Sequence, residues 1–143
     1  MVAVVARKIM RKHKTMSKIL KSIMLIEDER DIQEVTRLSL EIVGGYTVYI
    51  CSSGREGVDK APVVMPDLIL LDVMMPVMDG LTTLKLLREN PKTNNIPVIF
   101  ITAKAKSSEI TNYIERGAIG VIRKPFDPMK LVVEINDIWN KQA

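Results

Sequence analysis

Glu27, Asp28, Asp72, Thr102 and Lys124 are the residues of this 143-residue chain whose types and spacing could do chemistry. Asp72 closes the aliphatic run Leu68-Ile69-Leu70-Leu71 and opens Asp72-Val73-Met74-Met75-Pro76-Val77-Met78-Asp79-Gly80. A short apolar run ending in a lone carboxylate, ahead of a loop with Pro and Gly, reads as a buried strand delivering an acid to a loop edge. An acid there serves as a nucleophile, a metal ligand or a helix cap. Three carboxylates in one crevice repel one another and are hard to ionise without a cation nearby. A hard divalent ion removes that conflict, and Mg²⁺ takes oxygen ligands, with waters and phosphate oxygens completing its shell. Lys124 adds a point charge on a flexible stem, suited to phosphate, and Thr102 adds a hydroxyl donor. Carboxylates, divalent ion, ammonium and hydroxyl around one centre equip a site for phosphoryl transfer, where catalysis is mostly positioning and charge neutralisation.

The elements that must position these groups alternate strand and helix five times. Ile23-Met24-Leu25-Ile26, Thr47-Val48-Tyr49-Ile50-Cys51, Leu68-Ile69-Leu70-Leu71, Val98-Ile99-Phe100-Ile101 and Val121-Ile122-Arg123 read as strands. A first helix is expected over residues 30–43, with Val35, Leu38 and Ile42 on one face and Gly44-Gly45 as its stop. Ser53 caps a second helix that Pro62 should end or kink. Asp79 caps a third, with Leu81, Leu84 and Leu87 as its apolar positions and Asn90-Pro91 as its end. A fourth opens at Ser107 or Ser108 and closes at Gly117. Asp127-Pro128 reads as an N-cap and first helical residue of a fifth, carrying Leu131, Ile135 and Ile138. Aliphatic strands alternating with amphipathic helices predict an α/β fold, a doubly wound five-stranded parallel sheet covered on both faces. In such sheets, sites form outside the carboxyl ends of the strands. Glu27 and Asp28 follow strand one, Asp72 ends strand three, Thr102 ends strand four and Lys124 follows strand five, so all reach one rim.

A 47% hydrophobic and 27% charged composition describes one soluble globular domain. No apolar run approaches the roughly 18 residues that span a bilayer. The single cysteine, Cys51, cannot form an internal disulfide, which points to a reducing, cytoplasmic setting. The net charge of +4 conceals two regions. Residues 1–21 hold seven cations and no acid, while residues 22–143 hold 14 cations against 17 acids, a formal −3. The domain itself therefore lacks the basic surface of a nucleic-acid binder. Residues 1–21 read as a basic N-terminal extension, disordered or weakly helical, and residues 22–143 as the domain. Val5, Ile9, Met16 and Leu20 share a helical face, which would suit an anionic membrane or a partner groove. Lys12 and His13 interrupt that stripe, so membrane contact is the disfavoured reading.

The acidic pair Glu27-Asp28, the Leu-Leu-Asp-Val-Met-Met-Pro-x-Met-Asp-Gly stretch around Asp72, Ile101-Thr102-Ala103 and Lys124-Pro125-Phe126 together resemble the response-regulator receiver domain of two-component signalling. The intervals agree: 44 residues from Asp28 to Asp72, 30 more to Thr102 and 22 more to Lys124. The resemblance covers about residues 20–141 and implies a flavodoxin-like sheet of strand order 2-1-3-4-5. It implies Asp72 as phosphoacceptor, Glu27, Asp28, Asp72 and the backbone carbonyl of Met74 as the Mg²⁺ site, and Thr102 and Lys124 as the groups that contact the phosphoryl. It also implies a cis Lys124-Pro125 bond. Val121 departs from the family pattern, which often carries Tyr or Phe there, so the usual aromatic read-out is in question.

The implied protein is a stand-alone receiver with no DNA-binding domain. It takes a phosphoryl group from a sensor histidine kinase or histidine phosphotransfer protein and signals to an output protein that the sequence does not name. It is a phosphoacceptor that catalyses its own phosphorylation and dephosphorylation, rather than a conventional enzyme. A phosphatase of the haloacid-dehalogenase kind would need a second acid two residues after Asp72, where this chain has Met74. The remaining alternative is a phosphorylation-independent binding module on the same fold, against which all five site residues argue.

Overall fold

The computed structural model describes residues 18–142. Five parallel strands run β1 (Ser22–Ile26), β2 (Thr47–Cys51), β3 (Leu68–Leu71), β4 (Val98–Thr102) and β5 (Gly120–Arg123). They lie in the order β2-β1-β3-β4-β5. The helices are α1 (Arg30–Leu38, continued by a π-helical turn Ser39–Val43), α2 (Gly54–Val64), α3 (Gly80–Glu89), α4 (Ser107–Glu115) and α5 (Leu131–Lys141). The expected sheet and strand order are both present.

Alternation along each strand splits the apolar runs between two cores. Met24, Ile26, Ile69, Leu71, Val98 and Phe100 face α2, α3 and α4, meeting Ala61, Leu84, Leu87 and Tyr113. Ile23, Leu25, Leu68, Leu70, Ile99 and Ile101 face α1 and α5, meeting Leu40, Leu131, Ile135 and Trp139. Leu20, which the sequence reading groups with the basic extension, is buried in this second core. Residues 1–17 of that extension, with Val5, Ile9 and Met16, lie outside the described residues.

Ser53, Asp79 and Gly45 act as read. The Ser53 hydroxyl accepts from the Glu56 N–H at 3.1 Å and the Asp79 carboxylate from the Thr82 N–H at 2.8 Å. Gly45 takes the left-handed conformation, φ 69°, just past the π-helical turn. Three expectations are corrected. Pro62 lies inside α2, which continues to Val64 and ends on left-handed Met65. Asp127 does cap, accepting from the Met129 N–H at 2.9 Å, but regular helix begins only at Leu131, after a turn. The largest correction is the face of α1. Val35, Leu38 and Ile42 are exposed, Ile42 by 76%, and Gln33, Thr36, Ser39 and Leu40 turn inward instead. Two of the three polar residues find partners there: Gln33 Nε2 donates to the Glu27 carbonyl at 2.6 Å, and Ser39 Oγ to the Pro128 carbonyl at 2.6 Å, whereas the Thr36 hydroxyl has none.

Candidate functional site

The parallel register delivers the acids side by side. Ile26 pairs with Leu71, so the residues that follow them, Glu27 and Asp72, leave the sheet at the same level. Glu27, Asp28 and Asp72 each offer a carboxylate oxygen within 4.8 Å of the others. Glu27 and Asp72 are buried, and Asp28 is half-buried with a buried Oδ1 that has no hydrogen-bond partner. On the next two strands Thr102 is fully buried and Lys124 half-buried. The Lys124-Pro125 bond is cis. Lys124 Nζ donates to Glu27 Oε1 and also lies 3.3 Å from Asp72 Oδ2. One ammonium therefore bridges two of the three acids.

Backbone groups hold the remaining oxygens. The Glu29 N–H donates to Glu27 Oε2 at 3.1 Å and the Met74 N–H to Asp72 Oδ1 at 3.2 Å. Met74 itself is exposed and borders the site. Thr102 Oγ1 accepts from the Lys104 N–H at 3.1 Å. Asp72, Thr102 and Lys124 line a cleft of about 640 Å³ whose apolar wall includes Ile32, Met74 and Phe126.

Burial dominates the electrostatics. It pushes the Glu27 carboxyl up to about 7, with the Asp72 charge adding to the rise and the Lys124 and Glu29 hydrogen bonds opposing it. Burial also pulls the Lys124 ammonium down, but the Glu27 hydrogen bond and the charges of Asp72 and Glu27 outweigh it, so its pKa is raised. The two partners are thus unequally served. Lys124 has two acids and stays charged, whereas the buried acids share one cation. The crowded carboxylates and the orphan Asp28 oxygen fit a hard divalent ion, which takes oxygen donors and would supply the missing positive charge.

Two contributors escaped the sequence reading. Gln33 braces the Glu27 turn through its backbone carbonyl and also donates to Ser52 Oγ at 3.1 Å. Only its place among the inward residues of α1 reveals it. Gly80 lets α3 start against the Asp72 backbone: a Cβ there would sit 2.2 Å from the Asp72 carbonyl oxygen. The Gly80 N–H also donates to the Val73 carbonyl at 2.8 Å. The sequence marks this glycine only as a turn. Cys51 takes no part; it is buried, and burial pushes its thiol up to about 11.

Residues 23–136 match the family model of the response regulator receiver domain. This chain belongs to that family. The receiver is 39% identical over 116 residues to a probable C4-dicarboxylate response regulator, DctR, of Priestia megaterium, covering 79% of this chain and 50% of the relative. It is 35% identical over 116 residues to a probable transcriptional regulator, ycf29, of Pyropia yezoensis, covering 81% and 52%. It therefore spans about half the length of these curated relatives. Among solved structures, the chemotaxis protein CheY4 of Vibrio cholerae superposes with a TM-score of 0.77 at 27% identity, covering 84% of this chain and 99% of that one. Receivers are phosphoacceptor signalling domains of two-component systems and typically use Mg²⁺. No helix among the described residues of this receiver is long and apolar enough to cross a membrane.

Proposed function

We propose that this receiver accepts a phosphoryl group on Asp72 from the phosphohistidine of a sensor histidine kinase or histidine phosphotransfer protein, in a Mg²⁺-dependent reaction. The observation that carries this reading is the ammonium of Lys124, which bridges Glu27 and Asp72 beside the cleft. A carboxylate with one oxygen on a backbone N–H and the other beside an ammonium is held in one orientation, and Asp72 lines the cleft. Asp72 attacks the phosphorus, a P–O bond forms and the P–N bond breaks, and the electron pair leaves on the donor imidazole nitrogen. Lys124 turns toward the phosphoryl oxygens as Asp72 is consumed. The Thr102 hydroxyl donates a hydrogen bond to another of those oxygens. Glu27, Asp28, Asp72 and the Met74 carbonyl would hold Mg²⁺, which when bound neutralises the acids and the phosphoryl charge. The apolar wall of Ile32, Met74 and Phe126 offers a surface for the donor's imidazole ring.

Hydrolysis of the aspartyl phosphate by the same groups returns the domain to rest. The signal passes to an output protein as a shift of the face that includes α4, β5 and α5. A reducing cytoplasm suits the free thiol of Cys51. Incubation with acetyl phosphate and Mg²⁺, followed by intact-mass analysis, tests the reading. Wild type should gain one phosphoryl group, and chelator or Asp72→Asn should abolish the gain. Equal modification of wild type and Asp72→Asn would overturn it, and no modification under any condition would favour a phosphorylation-independent binding module.

A further inference from the structure

Val121 is a half-buried aliphatic residue on β5, and an aromatic side chain that hydrogen-bonds to the loop after β4 comes from a different element. Tyr113 of α4 is only 2% exposed. Its ring packs against Phe100 with centroids 5.0 Å apart and planes tilted by 52°, in the same core that Val121 borders. Its hydroxyl does more than fill space. Tyr113 Oη donates to the Lys104 carbonyl at 2.7 Å, while the Lys104 N–H donates to Thr102 Oγ1 at 3.1 Å. Residue 104 is therefore clamped from both sides, by the site hydroxyl and by the phenol of α4.

The ion pair at residue 104 is a weaker link. The Lys104 ammonium lies 3.7 Å from the Glu109 carboxylate, and its side chain is 58% exposed, so solvent screens the pair. The phenol instead holds a backbone carbonyl at the end of a buried ring. Beside it lies an open cavity of about 520 Å³, also lined by Leu81 and Asn112, which leaves the ring room to follow that carbonyl.

We infer that the Tyr113 hydroxyl is the positioning group that carries a displacement of Thr102 into α4. This rests on the reading of Asp72 as the phosphoacceptor. When the Thr102 hydroxyl turns toward a phosphoryl group, it can no longer accept from the Lys104 N–H in the same place. The backbone at residue 104 shifts, its carbonyl shifts with it, and the hydrogen bond draws Tyr113 and its helix along. The ring contact with Phe100 keeps the phenol aimed but does not itself connect to the site. A residue that served only as core would need its hydroxyl partner merely to avoid an unpaired polar group. Removing that hydroxyl would then lower stability alike with and without the phosphoryl group.

The test compares wild type, Tyr113→Phe and Phe100→Leu by backbone amide spectra of the full chain, titrated with beryllofluoride and Mg²⁺. In Tyr113→Phe, the Thr102 and Lys104 amides should still respond, with affinity for the phosphate mimic within about tenfold of wild type, as expected for one neutral hydrogen bond. The amides of Ile110, Ile114 and Glu115 should lose most of their wild-type response. Phe100→Leu, which loosens the ring packing but keeps the hydroxyl, should retain it. A full α4 response in Tyr113→Phe overturns the inference, and so does an equal loss in Phe100→Leu, because packing would then be the carrier. If Thr102 of the wild type fails to respond at all, the phosphoacceptor reading falls and this inference falls with it.

Discussion

The rim of the sheet has two unlike halves. On β1 and β3, the acids Glu27, Asp28 and Asp72 crowd within 4.8 Å, and one oxygen of Asp28 has no partner. At the ends of β4 and β5, Thr102 and Lys124 both have partners: the hydroxyl accepts from a backbone N–H and the ammonium has two acids. The acid half costs folding free energy and the other half repays only part of it, because one ammonium faces three carboxylates. The acid half is the one whose crowded oxygens suit a divalent cation, and an incoming phosphoryl group would change the charge there. The other half is positioned to register the change.

Removing Lys124, the one cation that pairs with these acids among the described residues, should have the largest effect on this balance. Lys124→Met leaves Glu27 and Asp72 buried and unpaired, and should cost about 3–5 kcal/mol in metal-free urea unfolding. Added Mg²⁺ should restore part of that loss; no loss at all would mean that the acids do not depend on Lys124.

Acidity sharpens the comparison next. The folded Glu27 carboxyl sits near 7, above its ordinary 4.5, so over that interval the folded protein binds more protons than the unfolded one. The stability that this group contributes is full below its ordinary range and is lost as pH rises toward 7. The raised Lys124 does not titrate in this window. Metal-free stability should therefore decline from about pH 4.5 to about pH 7, and Glu27→Gln should flatten the decline. An unchanged slope in that variant would place the excess proton elsewhere.

On the other half, Thr102→Ala should strongly reduce the beryllofluoride-induced amide shifts over α4 and α5, whereas Val121→Ala should keep most of them. The reverse pattern would reassign the read-out to β5. The smallest effect belongs to the loop of the acid half. Val77 is a β-branched residue at φ 69°, a conformation that Asn tolerates far better. Val77→Asn should raise stability by about 1 kcal/mol with phosphorylation unchanged, and a loss of phosphorylation would show that this strain serves the chemistry.

What was legible in the sequence was local or repetitive. Aliphatic runs marked the strands, Ser53 and Asp79 marked helix starts, and the strand-end rule gathered Glu27, Asp28, Asp72, Thr102 and Lys124 on one rim. The face of α1 was not legible. Periodicity put Val35, Leu38 and Ile42 inward, but the inward choice was made by partners far along the chain, Ser52 for Gln33 and Pro128 for Ser39. Gly80 escaped for a related reason, since only the assembled loop shows how near the Asp72 backbone lies. The Tyr113 tether also required the loop after β4 to be folded back over α4.

The central claim is that Asp72 itself becomes the acyl phosphate. Borohydride reduces an acyl phosphate of aspartate to homoserine, so reduction after treatment with acetyl phosphate and Mg²⁺, followed by peptide mass mapping, locates the group directly. Homoserine is expected at position 72 and nowhere else. Homoserine at position 28, 67 or 79, or a phosphoryl-bearing chain that yields none, would contradict it.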